Sequence, residues 1–196
     1  IKETINNLLD YAKQEQVSDS PLLIDVNEVV ENTYALVRHL KKNNKFVLRH
    51  HLLATTPIKI NPNELQQVLV NLVVNAVHAL HDEGGEITIE TEDWSDQGIV
   101  IRVRDNGIGM DEATMEKIFN PFFSHMRRGS GTGLGLSISY GLVRKYGGRI
   151  SVKSKPNEGS EFSVWLMQDP HDGERSAQDY AEDSNEDEIP HITQSL

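Results

Sequence analysis

The sequence predicts an α+β fold in which three main helices lie on one face of a mixed, mostly antiparallel sheet of about five strands. Three long segments place apolar residues at helical spacing, with polar residues on the opposite face. Several shorter segments alternate apolar and polar residues and follow one another in pairs, which favours hairpins. Strands and helices do not alternate regularly, so a doubly wound parallel sheet is not expected.

The chain has 196 residues and begins with Ile1 rather than Met, so we expect it to be a piece of a longer protein. Residues 1–20 would hold the end of a helix and a linker, because Ile1–Gln16 has one apolar face but no start signal. Residues 21–168 would form the main domain, a length that can bury one sizeable core. Residues 169–196 would form an acidic, disordered tail.

Apolar periodicity predicts three main helices and one short helix in this domain. The main helices are Asp25–Lys42, Asn61–His81 and Leu134–Tyr146, and the short helix is Asp111–Phe119. Asp25 or Asn27 is a suitable N-cap for the first helix, and Asp111 for the short one. Pro62 lies in the first turn of the second helix, where proline is tolerated. The two glycines after Tyr146 would end the last helix.

Alternating apolar residues predict the strands. They are Phe46–Leu53, Pro57–Ile60, Glu86–Glu92, Ile99–Val103, Arg149–Ser154 and Ser160–Met167. In the third of these, Ile87 and Ile89 would face the core. Asp96-Gln97-Gly98 would join the third and fourth strands as a hairpin, and Pro156–Gly159 would join the last two.

Composition narrows the classes of function. The chain has no cysteine, which removes disulfides and thiolate metal sites and fits a cytoplasmic domain. No apolar run approaches the roughly 20 residues that span a bilayer, so any membrane attachment would come through preceding N-terminal regions. Of the net charge of −11, residues 169–196 carry −8. The chain has no basic stripe, so nucleic acid is not an expected partner.

Asn71 and Asn75 lie four residues apart in the second main helix, and therefore on one face of it. Their neighbours are valine, leucine and alanine, and a buried amide costs free energy unless it is paired. An amide oxygen suits Mg²⁺, which takes waters and phosphate oxygens as its other ligands. The alternative is that one asparagine caps or bonds a neighbouring loop.

Two glycine clusters, at 107–109 and 129–135, flank the phenylalanine-rich stretch Phe119–Phe123. Glycines let backbone approach a ligand closely, and a glycine-rich helix start aims unpaired N–H groups at an anion. The clusters therefore predict a nucleotide site with its phosphates near Gly131–Gly135. The phenylalanines would anchor or hinge the mobile segment Ser124–Ser130.

Asp105 ends a predicted strand directly before the first glycine cluster. A carboxylate there could accept a hydrogen bond from an exocyclic amine such as that of adenine, although aspartate before glycine is also common in plain turns. Arg127 and Arg128 could reach phosphates or could simply lie in solvent. The pattern is not a Walker A loop, because no Gly-Lys-[Ser/Thr] occurs, and the catalytic-loop signature of protein kinases is also absent.

Four motifs occur in a fixed order. They are Asn71-Leu-Val-Val-Asn75-Ala, Asp105-Asn-Gly-Ile-Gly109, Phe119-Asn-Pro-Phe-Phe and Gly131-Thr-Gly-Leu-Gly135. Together they resemble the N, G1, F and G2 boxes of sensor histidine kinases. The catalytic ATP-binding domains of these kinases belong to the superfamily of gyrase B, Hsp90 and MutL. The resemblance covers about Asp25–Met167.

The resemblance implies a two-layer α/β sandwich of the Bergerat type, with ATP between the asparagine helix and a short lid. It implies that Asn75 is the Mg²⁺ ligand and that Asn71 is a phosphate-side contact. It also implies that Asp105 reads adenine in a pocket shaped by Gly107 and Gly109. The lid end would contact phosphates through Gly131, Thr132, Gly133, Leu134 and Gly135.

Ser160 and His78 depart from the family pattern. Ser160 stands where the family usually has a threonine near adenine. His78 stands three residues after Asn75, where some relatives carry a phosphate-binding lysine. A protonated His78, or Arg127 and Arg128 in its place, would then bind phosphate.

Asn71 also bears on the kind of chemistry. At the matching position, the gyrase and Hsp90 ATPases carry a glutamate that activates water as a general base, which an asparagine cannot do. Self-contained ATP hydrolysis is therefore disfavoured, and Asn71 is the only candidate catalytic residue. Transfer of the phosphoryl group to a histidine needs no general base in this site, because neutral imidazole is itself a nucleophile. Positioning of the reactants and charge neutralisation by Mg²⁺ then provide most of the catalysis.

The family's phosphoacceptor histidine is followed by an acid and, at the fifth position, by asparagine or threonine. Six histidines do not fit this pattern: His39, His50, His51 and His78 lack the acid, and His81 and His171 lack the last residue. We therefore expect the acceptor histidine upstream of Ile1, in a dimerisation domain. The segment Ile1–Gln16 resembles the end of the last helix of such a domain.

The resemblance implies transfer of the γ-phosphoryl group of Mg·ATP to that histidine and onward to an aspartate of a response regulator receiver domain. It also implies a homodimer in the full-length protein. One alternative is a related serine kinase that inhibits a sigma factor, which the helix Ile1–Gln16 disfavours. Another is a non-catalytic, nucleotide-gated interaction module, which the intact Asn75, Asp105 and glycine clusters disfavour.

Overall fold

The computed structural model describes residues 20–38, 45–95, 98–124 and 132–169. Several predictions fall outside these ranges: the helix Ile1–Gln16, the end of the helix Asp25–Lys42, most of the segment Ser124–Ser130, the turn at Asp96-Gln97, the tail after residue 169, and Arg127, Arg128 and Gly131.

The described residues form seven strands and four helices. The strands are β1 (Leu22–Ile24), β2 (Phe46–Leu52), β3 (Ile58–Ile60), β4 (Gly85–Ser95), β5 (Gly98–Asp105), β6 (Arg149–Lys155) and β7 (Gly159–Met167), and the helices are α1 (Val26–Val37), α2 (Pro62–Ala79), α3 (Glu112–Met115) and α4 (Gly135–Lys145). Five strands form one sheet in the order β2-β4-β5-β7-β6, and β1 and β3 form a separate antiparallel pair. The predicted α+β class is confirmed.

The five-stranded sheet is mostly antiparallel, as predicted. Three neighbouring pairs, β4–β5, β5–β7 and β6–β7, are antiparallel, and β2 and β4 are parallel. The chain leaves β2, forms β3 and α2, and returns to β4, which is the long crossover that a parallel pair needs. Local sequence patterns predict neither this pair nor strand β1, since both depend on partners far away in sequence.

Short polar residues begin the first three helices. The Asp25 side chain accepts a hydrogen bond from the Asn27 N–H at the start of α1, and Asp111 accepts one from the Thr114 N–H at the start of α3. Asn61 caps α2 by accepting from the N–H groups of its second and third helical residues. Helix α2 ends at Ala79, two residues before the predicted end at His81, because the backbone of Leu80 is extended.

Helix α2 lies at the centre of the helical layer. It packs between α1 and α4 and rests on β5. Its fully buried side chains include Leu65, Leu69, Leu72 and Val73, and they face inward-pointing residues of the sheet such as Ile87, Ile89 and Ile101. Burying one such side chain stabilises the fold by roughly 1.5–3 kcal/mol. The helix that carries Asn71 and Asn75 is therefore firmly held in the core.

The two ends of α4 are tied to α2. At its C-terminal end, Lys145 Nζ donates to Glu64 at 2.7 Å and the Tyr146 hydroxyl donates to Glu64 at 2.5 Å. Burial and the hydrogen bond to Glu64 raise the pKa of Tyr146, which keeps the phenol protonated as the donor. Because Glu64 lies in the first turn of α2, the N-terminal end of α4 comes to lie beside the later turns of α2.

The loop after β2 is fixed by Asp93 on β4. The Asp93 carboxylate accepts hydrogen bonds from the Thr55 hydroxyl at 2.6 Å, from the Thr55 N–H at 3.0 Å and from the Thr56 N–H at 2.9 Å. These bonds, led by the Thr55 hydroxyl, lower the pKa of Asp93 from 3.8 to about 2.

None of the helices among the described ranges is long and apolar enough to cross a bilayer.

We expect Asp93 to make stability depend on pH in acid. Its pKa is lower in the folded state than in the unfolded chain, so its contribution is present above pH 4 and is lost as the pH falls through about 2. Urea unfolding of the wild type and Asp93→Asn at several pH values should show a stability difference at pH 6 that shrinks between pH 4 and pH 2. Asp82→Asn, whose exposed carboxylate makes no hydrogen bond to another described residue, is the control and should keep near wild-type stability at pH 6.

Candidate nucleotide site

One side of the site is the carboxylate of Asp105 at the end of β5. Only 4% of Asp105 is exposed, and its Oδ1 accepts a hydrogen bond from the Gly107 N–H at 2.9 Å. Burial raises the pKa of Asp105, while the backbone N–H groups of Gly107 and Ser160 act against that rise. A carboxylate has about four acceptor positions, so Asp105 can still accept from the amine of a ligand.

The glycine loop after Asp105 follows the end of α2 closely. The Ile108 N–H donates to the Ala79 carbonyl at 2.9 Å. A Cβ on Gly107 would lie 2.2 Å from that same carbonyl oxygen, so only glycine fits there. Gly109, at φ +62°, lies against Lys155 at the end of β6. Asp105, Gly107 and Gly109 therefore lie close together, between the end of α2 and the end of β6.

Ser154 connects this loop to Ser160. Its hydroxyl accepts from the Met110 N–H at 2.8 Å and donates to the Gly159 carbonyl at 2.8 Å. Ser160 Oγ lies 3.1 Å from Ser154 Oγ, and because the Ser154 proton is already used, Ser160 is the donor. Ser160 is buried and pairs with Asp105 in the β5–β7 register. The sequence analysis missed Ser154, since a serine in a strand carries no signal by itself.

The other side of the site is where Asn71 meets the start of α4. Only 5% of Asn71 is exposed. Its Nδ2 donates to the Gly135 carbonyl oxygen and to Ser139 Oγ, both at 3.2 Å. One of the two asparagines therefore does bond a neighbouring element, which the sequence analysis held open as an alternative. Ser139 is a second residue that the sequence analysis missed.

Asn75 and His78 lie further along α2. Both are partly buried, and neither side chain makes a hydrogen bond to another residue in the described ranges. The Asn75 amide is therefore open to a ligand. Burial lowers the pKa of His78, which favours the neutral imidazole at pH 7. A nearby phosphate would have to raise that pKa before His78 could act as a cation.

Helix α4 begins without a side-chain cap, unlike the other three helices. Its N-cap is Leu134, and its first turn has no acidic residue. Gly133 precedes it at φ +69°, a conformation that favours glycine, and the Thr132 hydroxyl accepts from the Leu134 N–H at 3.4 Å. The first N–H groups of α4 therefore have no partner within the helix, which is the arrangement that attracts a phosphate.

The phenylalanines before the lid differ from one another. Phe119 packs on the core, with its ring centroid 5.6 Å from that of Tyr140 on α4. Phe123 is partly buried, whereas Phe122 is 76% exposed and has a positive φ of 65°. The backbone of Phe122 lies directly against Gly133. Phe119 and Phe123 therefore pack against the core, while most of the segment that they are predicted to anchor or hinge lies outside the described residues.

The second half of α2 joins the two sides of the site. Asn71 touches the start of α4, and Ala79 touches the loop after Asp105. Eight residues of α-helix span about 12 Å, so a carboxylate for an amine and a helix start for phosphates lie at opposite ends of one helical face. The geometry fits a ligand with a base at one end and a polyphosphate at the other.

A divalent cation fits the middle of this face. The described part of the chain has no group of three or more histidine or acidic side chains that could hold a metal ion by itself. The Asn75 amide oxygen is a suitable hard ligand, and phosphate oxygens and water would supply the others. This donor set is typical of Mg²⁺ that arrives with a nucleotide.

Fold and site together define a nucleotide-binding domain of the two-layer α/β type. Residues 60–170, more than half of the chain, match the family model of the histidine kinase-, DNA gyrase B- and HSP90-like ATPases. The chain therefore belongs to this family.

Similar proteins come from two-component signalling. The sensor histidine kinase ZraS of Salmonella typhi is 30% identical over 167 residues, which cover 85% of this chain and 35% of ZraS. The chain thus spans about a third of the length of this curated relative. The catalytic domain of histidine kinase ThkA has a TM-score of 0.68 and 28% identity, with 77% of this chain and 97% of that chain covered.

A second solved structure holds ThkA in complex with the response regulator protein TrrA. It has a TM-score of 0.66 and 24% identity and covers 87% of this chain and 48% of that chain. At this identity the likeness concerns the fold alone.

Proposed function

We propose that this chain is the catalytic ATP-binding domain of a sensor histidine kinase. It would transfer the γ-phosphoryl group of Mg·ATP to a histidine upstream of Ile1, for relay to an aspartate of a response regulator. The observation that carries the proposal is the contact between the uncapped start of α4 and Asn71 on α2. It lies one turn from Asn75, whose amide bonds no other residue in the described ranges.

Different residues would bind different parts of Mg·ATP. Asp105 would accept from the adenine amine, with Ser160 and the glycine loop closing the pocket around it. The phosphates would accept hydrogen bonds from the N–H groups of Thr132, Gly133, Leu134 and Gly135. They would also accept from Gly131, Arg127 and Arg128, in the segment before these residues. When bound, Mg²⁺ would neutralise charge on the transferred group, and Asn75 would hold it through its amide oxygen.

Asn71 supports a kinase over a self-contained hydrolase. Its amide cannot take a proton from water at neutral pH, and its nitrogen is committed to Gly135 and Ser139. A water molecule at this position would lack a general base. A histidine imidazole arriving from another domain needs no such base, because its neutral form is already a nucleophile.

The partners follow from the same assignment. The name of ZraS and the complex of ThkA with a response regulator support a receiver domain as the acceptor of the phosphoryl group. In this proposal the full-length protein is a homodimer through the domain that precedes residue 21, and the ATP site works in the cytoplasm. Residues 21–168 would form the catalytic domain.

We expect this chain to bind ATP and to lack autophosphorylation. Calorimetric titration with ATP and Mg²⁺ should show one site per chain. Incubation with γ-labelled ATP should label a histidine in the full-length protein and none in this chain alone, because we place the acceptor outside it. Label on a histidine of this chain, or sustained release of inorganic phosphate from it, would contradict the proposal. Absence of ATP binding would contradict the site itself.

A further inference from the structure

We propose that Ser139 is a positioning residue that orients the amide of Asn71, so that Asn71 offers its oxygen and not its nitrogen to the metal–phosphate side of the site. This inference rests on the proposed function, since it concerns how the chain receives Mg·ATP. Ser139 lies in the second turn of α4 and belongs to none of the four motifs. Its role is indicated by its hydrogen bond with Asn71.

The orientation follows from the chemistry of two acceptors. A backbone carbonyl oxygen can only accept a hydrogen bond, so the Asn71 atom 3.2 Å from the Gly135 oxygen must be its nitrogen. The Ser139 hydroxyl gives its single proton to the same Gly135 oxygen at 3.0 Å. It therefore accepts from the Asn71 nitrogen at 3.2 Å. The amide nitrogen faces both acceptors, and Oδ1 makes no hydrogen bond to another described residue.

Burial makes this arrangement exclusive. Ser139 is fully buried and Asn71 is nearly so, which keeps water from replacing either bond. If the amide turned over, its oxygen would lie against the Gly135 carbonyl oxygen, and the Ser139 hydroxyl could donate to it only by giving up its own bond to Gly135. Without the Ser139 hydroxyl, only the Gly135 carbonyl would oppose that turn.

The orientation matters for a cation. Asn71 and Asn75 lie one helical turn apart on the same face of α2, so their amides serve the same part of the site. An amide oxygen attracts Mg²⁺ and accepts from the water molecules that it carries, whereas an N–H group repels both. By holding the nitrogen of Asn71 toward α4, Ser139 gives this face two oxygens in place of one oxygen and one N–H group.

The experiment compares Ser139→Ala with Ser137→Ala. Ser137 is a matched control on the same helix, because its hydroxyl also donates to a backbone carbonyl, that of Leu134 at 2.9 Å, and has no hydrogen bond to Asn71. ATP affinity is measured with Mg²⁺ and with chelator, and the ratio of the two dissociation constants gives the gain from magnesium. We expect Ser139→Ala to lower this gain about five-fold, the worth of one ordinary hydrogen bond. Ser137→Ala should keep the wild-type gain.

A second readout needs no nucleotide. In the nucleotide-free protein, exchange of the Asn71 side-chain amide protons with water is followed by NMR. Both protons should exchange slowly in the wild type and in Ser137→Ala, and at least one should exchange faster in Ser139→Ala. A general loss of stability would lower the melting temperature and would not single out this side chain.

The possible results distinguish failure of the positioning role from failure of the proposed function. Equal magnesium gains in the two variants, with unchanged exchange of the Asn71 protons, would overturn the positioning role. Wild-type binding of ATP without any gain from magnesium would also overturn it, whereas no ATP binding in the wild type would overturn the proposed function too. If Ser139→Ala does not fold, Ser139→Cys replaces it, because a thiol keeps the volume but is a weak acceptor, and the same loss of gain is expected.

Discussion

Asp105→Asn is expected to lower the affinity for ATP about 100-fold and to abolish the preference for adenine over a 6-oxo purine. The carboxylate is buried and accepts from the Gly107 N–H, a bond that an asparagine oxygen can keep. The introduced NH₂ group would then face the adenine amine, and two donors would meet in a buried pocket. A buried mismatch of this kind costs about 1–3 kcal/mol, and the upper end of that range is about 100-fold in affinity.

The measurement is a pair of titrations, with ATP and with inosine triphosphate. The 6-oxo group of inosine is an acceptor, so it should suit the asparagine and not the aspartate. The matched control is Asp111→Asn, which removes the same charge from the same loop. Asparagine is as good an N-cap as aspartate, so α3 should remain intact and both affinities should stay near wild type. Loss of both nucleotides in equal measure in Asp105→Asn would contradict adenine reading by this carboxylate.

The fold could be predicted where local signals agree. Helix α2 carries its cap at Asn61, a proline in its first turn and apolar residues at helical spacing, and the structure keeps all three features. Strand β1 lacks such signals, because Leu22 and Leu23 are exposed and, among the described strands, it pairs with β3 alone. Sequence patterns near β2 likewise contain nothing about β4, which pairs with it across a long crossover.

The candidate site divides in the same way. Asp105 and Asn75 stand out in the sequence because charged and amide groups are unusual beside apolar segments, and glycines mark the loops around them. Ser139 and Ser154 do not stand out, since serine is common on helices and strands alike. Their contacts arise from the packing of α4 on α2 and from the register of β6 on β7, which no short motif encodes.

Asn75→Ala is expected to remove most of the gain in ATP affinity that magnesium provides and to abolish phosphoryl transfer in the full-length protein. We expect the gain to fall about 100-fold, since even indirect partners of a metal site are worth 10–100-fold in metal affinity. Thermal stability should hardly change, because the Asn75 side chain bonds no residue in the described ranges. Titration with ATP, in magnesium and in chelator, measures the first effect, and calorimetric melting measures the second.

Asn71→Ala is the matched comparison, because the same side chain is removed one turn earlier on the same face of α2. It deletes two hydrogen bonds and leaves the Ser139 hydroxyl buried without its donor, so it should lower stability by about 1–3 kcal/mol. Asn75→Asp keeps an oxygen at the metal side and should recover part of the magnesium gain. If Asn75→Ala kept the full gain and Asn71→Ala lost it, the metal would be held by Asn71, and Asn75 would be only a polar residue at the rim of the site.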